Sequence, residues 1–206
     1  MTPLEQIHRH QIVAILRGCA PGRIPEIAAA LSEGGIRLLE ITLNSDSALD
    51  VIRRLAAKTD RVTVGAGTVL TAAEAEAAID AGARFILSPS FDADTVTVTR
   101  KLGVVSIPGA FTATEVLAAH RAGADLVKVF PASVGAHYIR DLRGPLPQVP
   151  LMPTGGINLQ NIGAFRAAGA AAFGVGSALV PAQQETGSAA LEALKQRAME
   201  FVKALT

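Results

Sequence analysis

Two ionisable side chains interrupt strongly apolar stretches of this 206-residue sequence. Lys128 lies within ADLVKVFPA, residues 124–132, and Glu40 lies within LEITL, residues 39–43. An unpaired charge is costly to bury, and such a group tends to become neutral instead. A neutral, desolvated amine attacks ketones. The pair therefore predicts carbonyl chemistry through a covalent lysine intermediate, with a structural ion pair as the alternative.

The elements that must position these side chains follow a repeated pattern. An alanine-rich helical stretch, a glycine and a short apolar strand succeed one another along most of the chain. The glycines of this pattern are Gly35, Gly82, Gly103, Gly123 and Gly169. Each is predicted to end a helix in the left-handed conformation that glycine adopts without strain. Together with a first strand at QIVAILR and two further boundaries, at KTDRVTVGA and LPQVPLMPTGG, the pattern predicts eight strands.

Eight alternating units define the expected fold class. Strands that are apolar on both faces and alternate with helices form parallel sheets that are covered on both sides. We therefore predict an α/β fold, a (β/α)8 TIM barrel with short loops. It would form a single domain over residues 1–206, with N-terminal and C-terminal helices. A doubly wound open sheet is the alternative, but no glycine-rich dinucleotide-binding fingerprint follows the first strand.

Two predicted helix starts have the pattern of a capping box. In that arrangement a Thr side chain accepts a hydrogen bond from the amide three residues later, while a Glu side chain accepts one from the Thr amide. Thr71 with Glu74 forms one such pair, and Thr112 with Glu115 forms the other. Both pairs predict helices that begin shortly after a strand, as the barrel requires.

The barrel predicts where chemistry would take place, because catalytic groups lie at the carboxyl ends of the strands. Side chains two residues apart in a strand point to the same side, which allows the inward positions to be assigned. The polar groups and the proline predicted at this rim are Arg17, Glu40, Thr42, Asn44, Thr68, Ser88, Pro89, Lys128, Thr154 and Ser177. Perturbed ionisable groups cluster at functional sites, so this convergence favours catalysis over a structural role.

Two glycine-rich segments at the same rim predict a phosphate site. PTGGIN contains Gly155 and Gly156, and GVGSALV contains Gly176 and Ser177. These segments follow the seventh strand and close the eighth, where barrels commonly offer backbone N–H groups to phosphate. An ordinary tight turn would explain either segment alone, but both together favour phosphate binding.

Composition excludes several classes of function. Half of the residues are hydrophobic, the formal net charge is +1, and no basic stripe with interleaved aromatic residues occurs, so we expect neither nucleic acid nor membrane as a partner. Cys19 is the single cysteine, which is typical of a cytoplasmic protein without disulfides. The N-terminal segment is polar, unlike a signal peptide.

The histidines give no metal-binding pattern. His8 and His10 lie in the polar N-terminal segment, His120 lies near a helix end and His137 near a helix start. We expect all four to face solvent, and we predict no metal ion and no cofactor. A barrel with a buried amine, a carboxyl group and a phosphate site remains.

Six motifs occur in the order found in one family of enzymes. They are LEITL, GAGTVL, ILSPS, VKVFPA, PTGGIN and VGSALV. On these motifs the chain resembles, over nearly its whole length, the 2-keto-3-deoxy-6-phosphogluconate (KDPG) and 4-hydroxy-2-oxoglutarate (KHG) aldolases, including the 6-phosphogalactonate (KDPGal) enzymes.

The resemblance implies a role for each motif residue. Lys128 would form the Schiff base and Glu40 would be the general acid/base. The substrate pocket would be lined by Thr68, Pro89, Phe130 and Thr154. The phosphate would be held by Gly155, Gly156, Gly176 and Ser177. The family is usually trimeric, so a homotrimer is expected.

The implied reaction is the cleavage of KDPG to pyruvate and glyceraldehyde 3-phosphate through a lysine iminium. Cleavage of the KDPGal epimer is the alternative within the family. A phosphosugar epimerase or isomerase is a further alternative, but that chemistry needs an acid/base pair or a metal rather than a buried amine. From another class, a non-catalytic phosphosugar-binding barrel would use Lys128 and Glu40 as an ion pair.

One position departs from the pattern of the gluconate enzymes. Many of them carry Arg where this chain has Asn44, and that Arg suits the pyruvyl carboxylate. Here Arg17, at the end of the neighbouring strand and in phase with Val13 and Ile15, is the predicted replacement. The ILRG and TLNS segments resemble the galactonate enzymes, whereas PTGG resembles the gluconate enzymes.

Overall fold

The computed structural model describes residues 1–58, 61–181 and 187–206. Within these residues the strands are β1 (Ile12–Leu16), β2 (Leu38–Thr42), β3 (Thr63–Gly67), β4 (Phe85–Leu87), β5 (Val105–Ile107), β6 (Gly109–Ala110), β7 (Val127–Val129), β8 (Leu151–Pro153) and β9 (Phe173–Val175). The helices are α1 (Pro3–His10), α2 (Ile24–Glu33), α3 (Ala48–Lys58), α4 (Ala72–Asp80), α5 (Ala93–Lys101), α6 (Ala113–Arg121), α7 (Ala136–Arg143), α8 (Ile162–Ala167) and α9 (Ser188–Lys203), and a 3-10 helix spans Ala132–Val134. The predicted strand boundary at KTDRVTVGA includes residues 59–60, which lie outside this description.

All paired strands are parallel, which confirms the α/β fold. One sheet has six strands in the order β5-β4-β3-β2-β1-β9, and a second has three in the order β6-β7-β8. The predicted fifth strand is divided at Pro108 into β5 and β6, because proline has no N–H to contribute to a ladder. A parallel bridge between Thr154 and Gly174 connects the end of β8 to β9. The ladders thus form two sheets, so the prediction of one eight-stranded barrel is met only in part.

The core has two layers that follow the alternation of the strands. The inner cluster consists of Ile7, Val13, Leu38, Phe85, Leu87, Val105, Ile107, Leu126, Met152 and Ala172. In β1, Ile12, Ala14 and Leu16 belong instead to the larger cluster shared with the helices. Each fully buried Leu, Ile or Phe contributes about 1.5–3 kcal/mol relative to exposure. The inner apolar cluster lies just below the positions predicted to do chemistry.

The predicted helix ends are confirmed, with one exception in detail. The five pattern glycines all have positive φ, between 73° and 108°. Thr112 and Glu115 form the complete capping box. At Thr71 only half of the box forms, because the Glu74 carboxylate accepts from the Leu70 amide at 2.6 Å rather than from Thr71.

The prediction of four solvent-facing histidines is fully met for two of them and met in part for the other two. His8 and His137 are exposed, but His10 and His120 are half-buried. Burial lowers the pKa of His10, with further contributions from nearby Arg9 and Arg37. Among the described residues, no cluster of three or more His, Cys, Asp or Glu side chains is placed to hold a metal ion. None of the described helices has the length and hydropathy needed to cross a membrane.

Candidate active site

Lys128 and Glu40 both lie in the interior at the centre of their strands. Lys128 is 4 % exposed and Glu40 is completely buried. Leu126 and Leu38, two residues earlier in the two chain segments, belong to the inner apolar cluster. Because side chains two residues apart share a face, the amine and the carboxyl group point inward just above that cluster. The Lys128 amine lies 5.1 Å from the centroid of the Phe130 ring.

Burial dominates the electrostatics of both groups. It lowers the pKa of Lys128, an effect that the nearby Glu40 partly opposes and that Arg17 reinforces. Burial likewise raises the pKa of Glu40 against the opposing influence of Lys128 and Arg17. Both groups are thus shifted toward their neutral forms.

A structural ion pair does not explain the two side chains. No salt bridge within 4.0 Å joins them, and both Glu40 oxygens lack a hydrogen-bond partner in the described part of the protein. Buried carboxyl groups with a structural role are normally hydrogen-bonded. The arrangement can instead supply an amine nucleophile and a carboxyl group free to exchange protons.

Two glycines make room for the polar side chains of the site. A Cβ atom on Gly67 would lie 1.6 Å from Glu40 Oε1, and one on Gly174 would lie 2.3 Å from Thr154 Oγ1. The sequence analysis assigned no role to either glycine. For Gly67, the observation that reveals the role is the pairing of β2 with β3, which aligns Thr42 with Gly67. This register is evident only once the strands are paired.

A cleft of about 750 Å³ lies beside Lys128. Its lining includes the predicted residues Arg17, Thr68, Pro89, Lys128, Phe130, Thr154, Gly155, Gly156, Gly176 and Ser177. It also includes residues that the sequence analysis did not single out, namely Ile15, Ile157, Asn158, Gly174, Ala178 and Val180. Glu40, Thr42, Asn44 and Ser88 were predicted at the rim but do not line the cleft. Glu40 lies behind this surface, against Gly67.

One end of the cleft carries a fixed cation. Arg17 Nη1 donates to Asn44 Oδ1 at 3.0 Å, and Nη2 donates to Thr68 Oγ1 at 3.1 Å. Thr68 has φ +58°, which is uncommon for a β-branched residue and places its hydroxyl against the guanidinium. The guanidinium has five N–H donors, so these two bonds leave others available for a carboxylate.

Another part of the cleft carries backbone donors. Gly155 and Gly156 have φ of +87° and +81°. The amides of Gly156, Ile157 and Ser177 donate to no carbonyl in the described turns and loops. A Cβ atom on Gly176 would meet nothing within 4 Å, so the cleft is open there. Unpaired N–H groups on adjacent loops can bind an anion such as phosphate.

Comparison with known proteins gives the same family as the motifs. The family model "Aldolase: KDPG and KHG aldolase" matches residues 4–194. A protein of Rhizobium meliloti named probable 2-dehydro-3-deoxy-6-phosphogalactonate aldolase is 36% identical over 205 residues, which cover 98% of this chain and 94% of that protein. The 2-dehydro-3-deoxy-phosphogluconate aldolase of Treponema pallidum is 34% identical over 206 residues, 98% of each chain.

A solved structure extends the similarity to three dimensions. The KDPG aldolase of Legionella pneumophila, determined with pyruvate captured as a covalent carbinolamine, superposes with a TM-score of 0.84. It is 26% identical, and the match covers 97% of each chain. The chain therefore belongs to the KDPG and KHG aldolase family, whose members are lyases that break a carbon–carbon bond.

Proposed function

We propose that this aldolase cleaves KDPG to pyruvate and glyceraldehyde 3-phosphate through an iminium formed on Lys128. One observation supports this most directly. The Lys128 amine borders the cleft but is almost fully buried, and burial lowers its pKa. It is therefore more readily deprotonated than a surface lysine, and the free amine is the form that attacks a carbonyl carbon.

Each step of the reaction follows from the chemistry of these two groups. Lys128 Nζ adds to the C2 ketone of the substrate, and loss of water gives an iminium. Glu40 exchanges protons during this addition and then removes the proton of the C4 hydroxyl. The C3–C4 bond breaks, its electrons enter the iminium to give an enamine, and glyceraldehyde 3-phosphate leaves. Protonation and hydrolysis of the enamine release pyruvate and restore the amine.

The raised pKa of Glu40 suits this double role. A carboxyl group whose pKa lies nearer neutrality can both give and accept a proton at physiological pH. Its two oxygens have no protein partner in the described residues, so they are not engaged when substrate arrives.

The rest of the cleft would orient the two ends of the substrate. Arg17 would bind the pyruvyl carboxylate with its planar fork of donors. The backbone groups around Gly155, Gly156, Gly176 and Ser177 would hold the phosphate. Substrate between these ends would contact Thr68, Pro89, Phe130 and Thr154, all of which border the cleft.

The choice between KDPG and KDPGal, which differ in configuration at C4, is a separate part of the proposal. The curated relatives include enzymes named for the gluconate and for the galactonate substrate. Thr154, a buried hydroxyl at the cleft, provides a polar contact that could distinguish the two configurations. We propose KDPG as the preferred substrate and KDPGal as a second one.

We further propose that residues 1–206 form one domain, with the two sheets as halves of a single closed barrel. Only Pro108 separates β5 from β6, and the Thr154–Gly174 bridge joins β8 to β9. A homotrimer is proposed on the resemblance to the family. A cytoplasmic location is proposed because Cys19 is the single cysteine.

Trapping with borohydride tests the central claim. Incubation with pyruvate followed by reduction should add one reduced pyruvyl group to the protein, and peptide mapping should place it on Lys128. Lys128→Ala should fold but lose both the adduct and cleavage, whereas Lys101→Ala, which removes an exposed lysine of α5, should retain both. Cleavage by a folded Lys128→Ala protein, or an adduct on another lysine, would contradict the assignment.

A further inference from the structure

Asn161 stands immediately before α8 but does not cap it. Its side chain makes no hydrogen bond to its own helix, although Asn is among the best N-cap residues. Instead Nδ2 donates to the Gly156 carbonyl at 2.7 Å, and Oδ1 accepts from the Asn158 amide at 2.8 Å. The side chain thus joins the start of α8 back to the glycine loop at the cleft.

The Asn158 side chain stabilises the turn that precedes α8. Its Oδ1 accepts from the amides of Gln160 and Asn161 at 3.0 and 3.1 Å. Asn158 Nδ2 also donates to the Gly156 carbonyl, at 3.5 Å. That contact is longer than the 2.7 Å bond from Asn161 Nδ2, so Asn161 is the stronger restraint on the Gly156 carbonyl.

The bond to Gly156 determines which way the next amide points. In a trans peptide the carbonyl and the following N–H point in opposite directions. Gly156 has φ +81°, in a region where glycine is conformationally permissive, so this peptide unit has little local restraint of its own. Holding the Gly156 carbonyl toward Asn161 therefore directs the Ile157 N–H away from it. Ile157 borders the cleft, and its amide donates to no carbonyl of the described loops.

We propose that Asn161 is a positioning residue for recognition of the substrate's phosphate. It touches no substrate atom itself, but it fixes the peptide between Gly156 and Ile157 so that the Ile157 N–H is presented to the anion. The inference rests on the proposed function, since it assumes that the glycine loop holds the phosphate of the substrate.

Two substitutions distinguish a role of Asn161 in phosphate recognition from a role only in stabilising the fold. Asn161→Ala removes both hydrogen bonds, and Asn161→Asp keeps the acceptor for the Asn158 amide but cannot donate to Gly156. We expect the KM for KDPG to rise by about three- to tenfold in Asn161→Ala, the usual worth of one hydrogen bond. Asn161→Asp should lose at least as much, because its charge also repels phosphate. The kcat in both variants, and the KM for non-phosphorylated 2-keto-3-deoxygluconate, should stay near wild type.

The matched control lies outside the cleft, at the start of α1. Thr2 forms the capping box of α1, and α1 contributes Ile7 to the inner apolar cluster. Thr2→Ala should lower the melting temperature and leave the KM for KDPG unchanged. The melting temperatures of the Asn161 variants show whether their folds persist.

Two further measurements distinguish failure of this inference from failure of the proposed function. A wild-type protein that forms no reduced pyruvate adduct would refute the aldolase mechanism. The dissociation constant for inorganic phosphate does not depend on turnover, and Asn161→Ala should raise it by the same factor as the KM. Unchanged phosphate affinity, or equal losses for the phosphorylated and non-phosphorylated substrates, would overturn the role of Asn161.

Discussion

Two successive layers of the interior differ in chemistry although the same strands build them. Leu38 of β2 and Leu126 just before β7 lie in the lower layer, and Glu40 and Lys128 follow two residues later in the upper one. All four side chains are nearly or completely buried. The lower pair gains transfer free energy on burial, while the upper pair loses solvation. The free energy gained by burying the apolar layer therefore offsets the desolvation of Glu40 and Lys128.

The upper layer also leaves polar groups without partners. Both oxygens of Glu40 are unpaired in the described structure, whereas buried polar groups elsewhere in proteins are nearly always hydrogen-bonded. The upper layer is thus the part of the interior in which the carboxyl group of Glu40 is left unsatisfied by the described residues.

Removing Glu40, the proposed proton acceptor of the upper layer, should have the largest effect. Glu40→Gln keeps the shape of the side chain but cannot exchange a proton, so kcat for cleavage should fall by about two to four orders of magnitude. Steady-state kinetics with KDPG would measure this. Glu5→Gln, at the start of α1, provides a matched control and should keep wild-type activity. A Glu40→Gln enzyme with near wild-type kcat would mean that another group is the base.

The free energy of unfolding of the same variant should depend on pH differently from that of wild type, because Glu40 is desolvated. Burial raises the pKa of Glu40 above its ordinary 4.5, so the folded protein holds this proton at pH values where the unfolded chain releases it. Stability from this group is present below about pH 4.5 and lost as pH rises toward the folded-state pKa. The free energy of unfolding of Glu40→Gln, minus that of wild type, should therefore increase with pH above 4.5. Denaturant titrations over this range would contradict the prediction if the difference stayed constant.

Alanine substitutions at two glycines of β3 would disturb the upper and the lower layer separately, because Gly67 lies against Glu40 and Gly65 against Phe85. A Cβ atom on Gly67 would clash with the Glu40 side chain from Cγ to Oε1 and with no backbone atom among its three nearest contacts, so Gly67→Ala should cost less stability than a clash with backbone. It should nevertheless lower kcat by about a hundredfold, because it displaces the carboxyl group that we propose exchanges protons.

Gly65→Ala is the matched substitution in the lower layer. Its Cβ atom would lie 2.1 Å from the Phe85 ring and 2.5 Å from the Phe85 carbonyl. Overpacking of this kind typically costs about 1–3 kcal/mol. Thermal unfolding and kinetics of both proteins would test the contrast, and equal effects of the two substitutions on stability and kcat would contradict it.

Sequence patterns predicted the positions of the candidate site residues better than the pairing of the strands that carry them. Strand alternation and the carboxyl-end rule correctly placed Arg17, Lys128 and Thr154 around one cleft, because both depend on local periodicity. The break at Pro108 was missed although a proline is visible in the sequence, because the apolar run there was treated as one strand. The need for Gly67 depends on the register of a neighbouring strand, which no single segment contains.

The cation of the upper layer offers a smaller test. Arg17→Ala should weaken pyruvate binding by about ten- to a hundredfold, the usual value of charge-assisted hydrogen bonds. Asn44 accepts from Arg17 at 3.0 Å, so an arginine introduced there lies within reach of the same carboxylate. The double variant with Asn44→Arg should recover part of the affinity, as measured by pyruvate saturation of adduct formation. Arg53→Ala, which removes an exposed arginine paired with Asp50, should bind pyruvate normally. A double variant no better than Arg17→Ala would refute the relocation of the cation.

The smallest expected effect concerns the choice between the two epimers, which differ only in configuration at C4. The Thr154 hydroxyl is buried at the cleft, and its one hydrogen bond, to the Met152 carbonyl, is long at 3.4 Å. Its lone pairs therefore remain available to a substrate hydroxyl on one side. One neutral hydrogen bond is worth about tenfold at most in discrimination, so we expect preference rather than exclusion. Thr154→Val should shift the ratio of kcat/KM values toward KDPGal by up to this factor. Thr99→Val, at a buried threonine of α5 outside the cleft, should leave the ratio unchanged. A wild type that prefers KDPGal, or a ratio that Thr154→Val does not alter, would place epimer selection in the ILRG and TLNS segments instead.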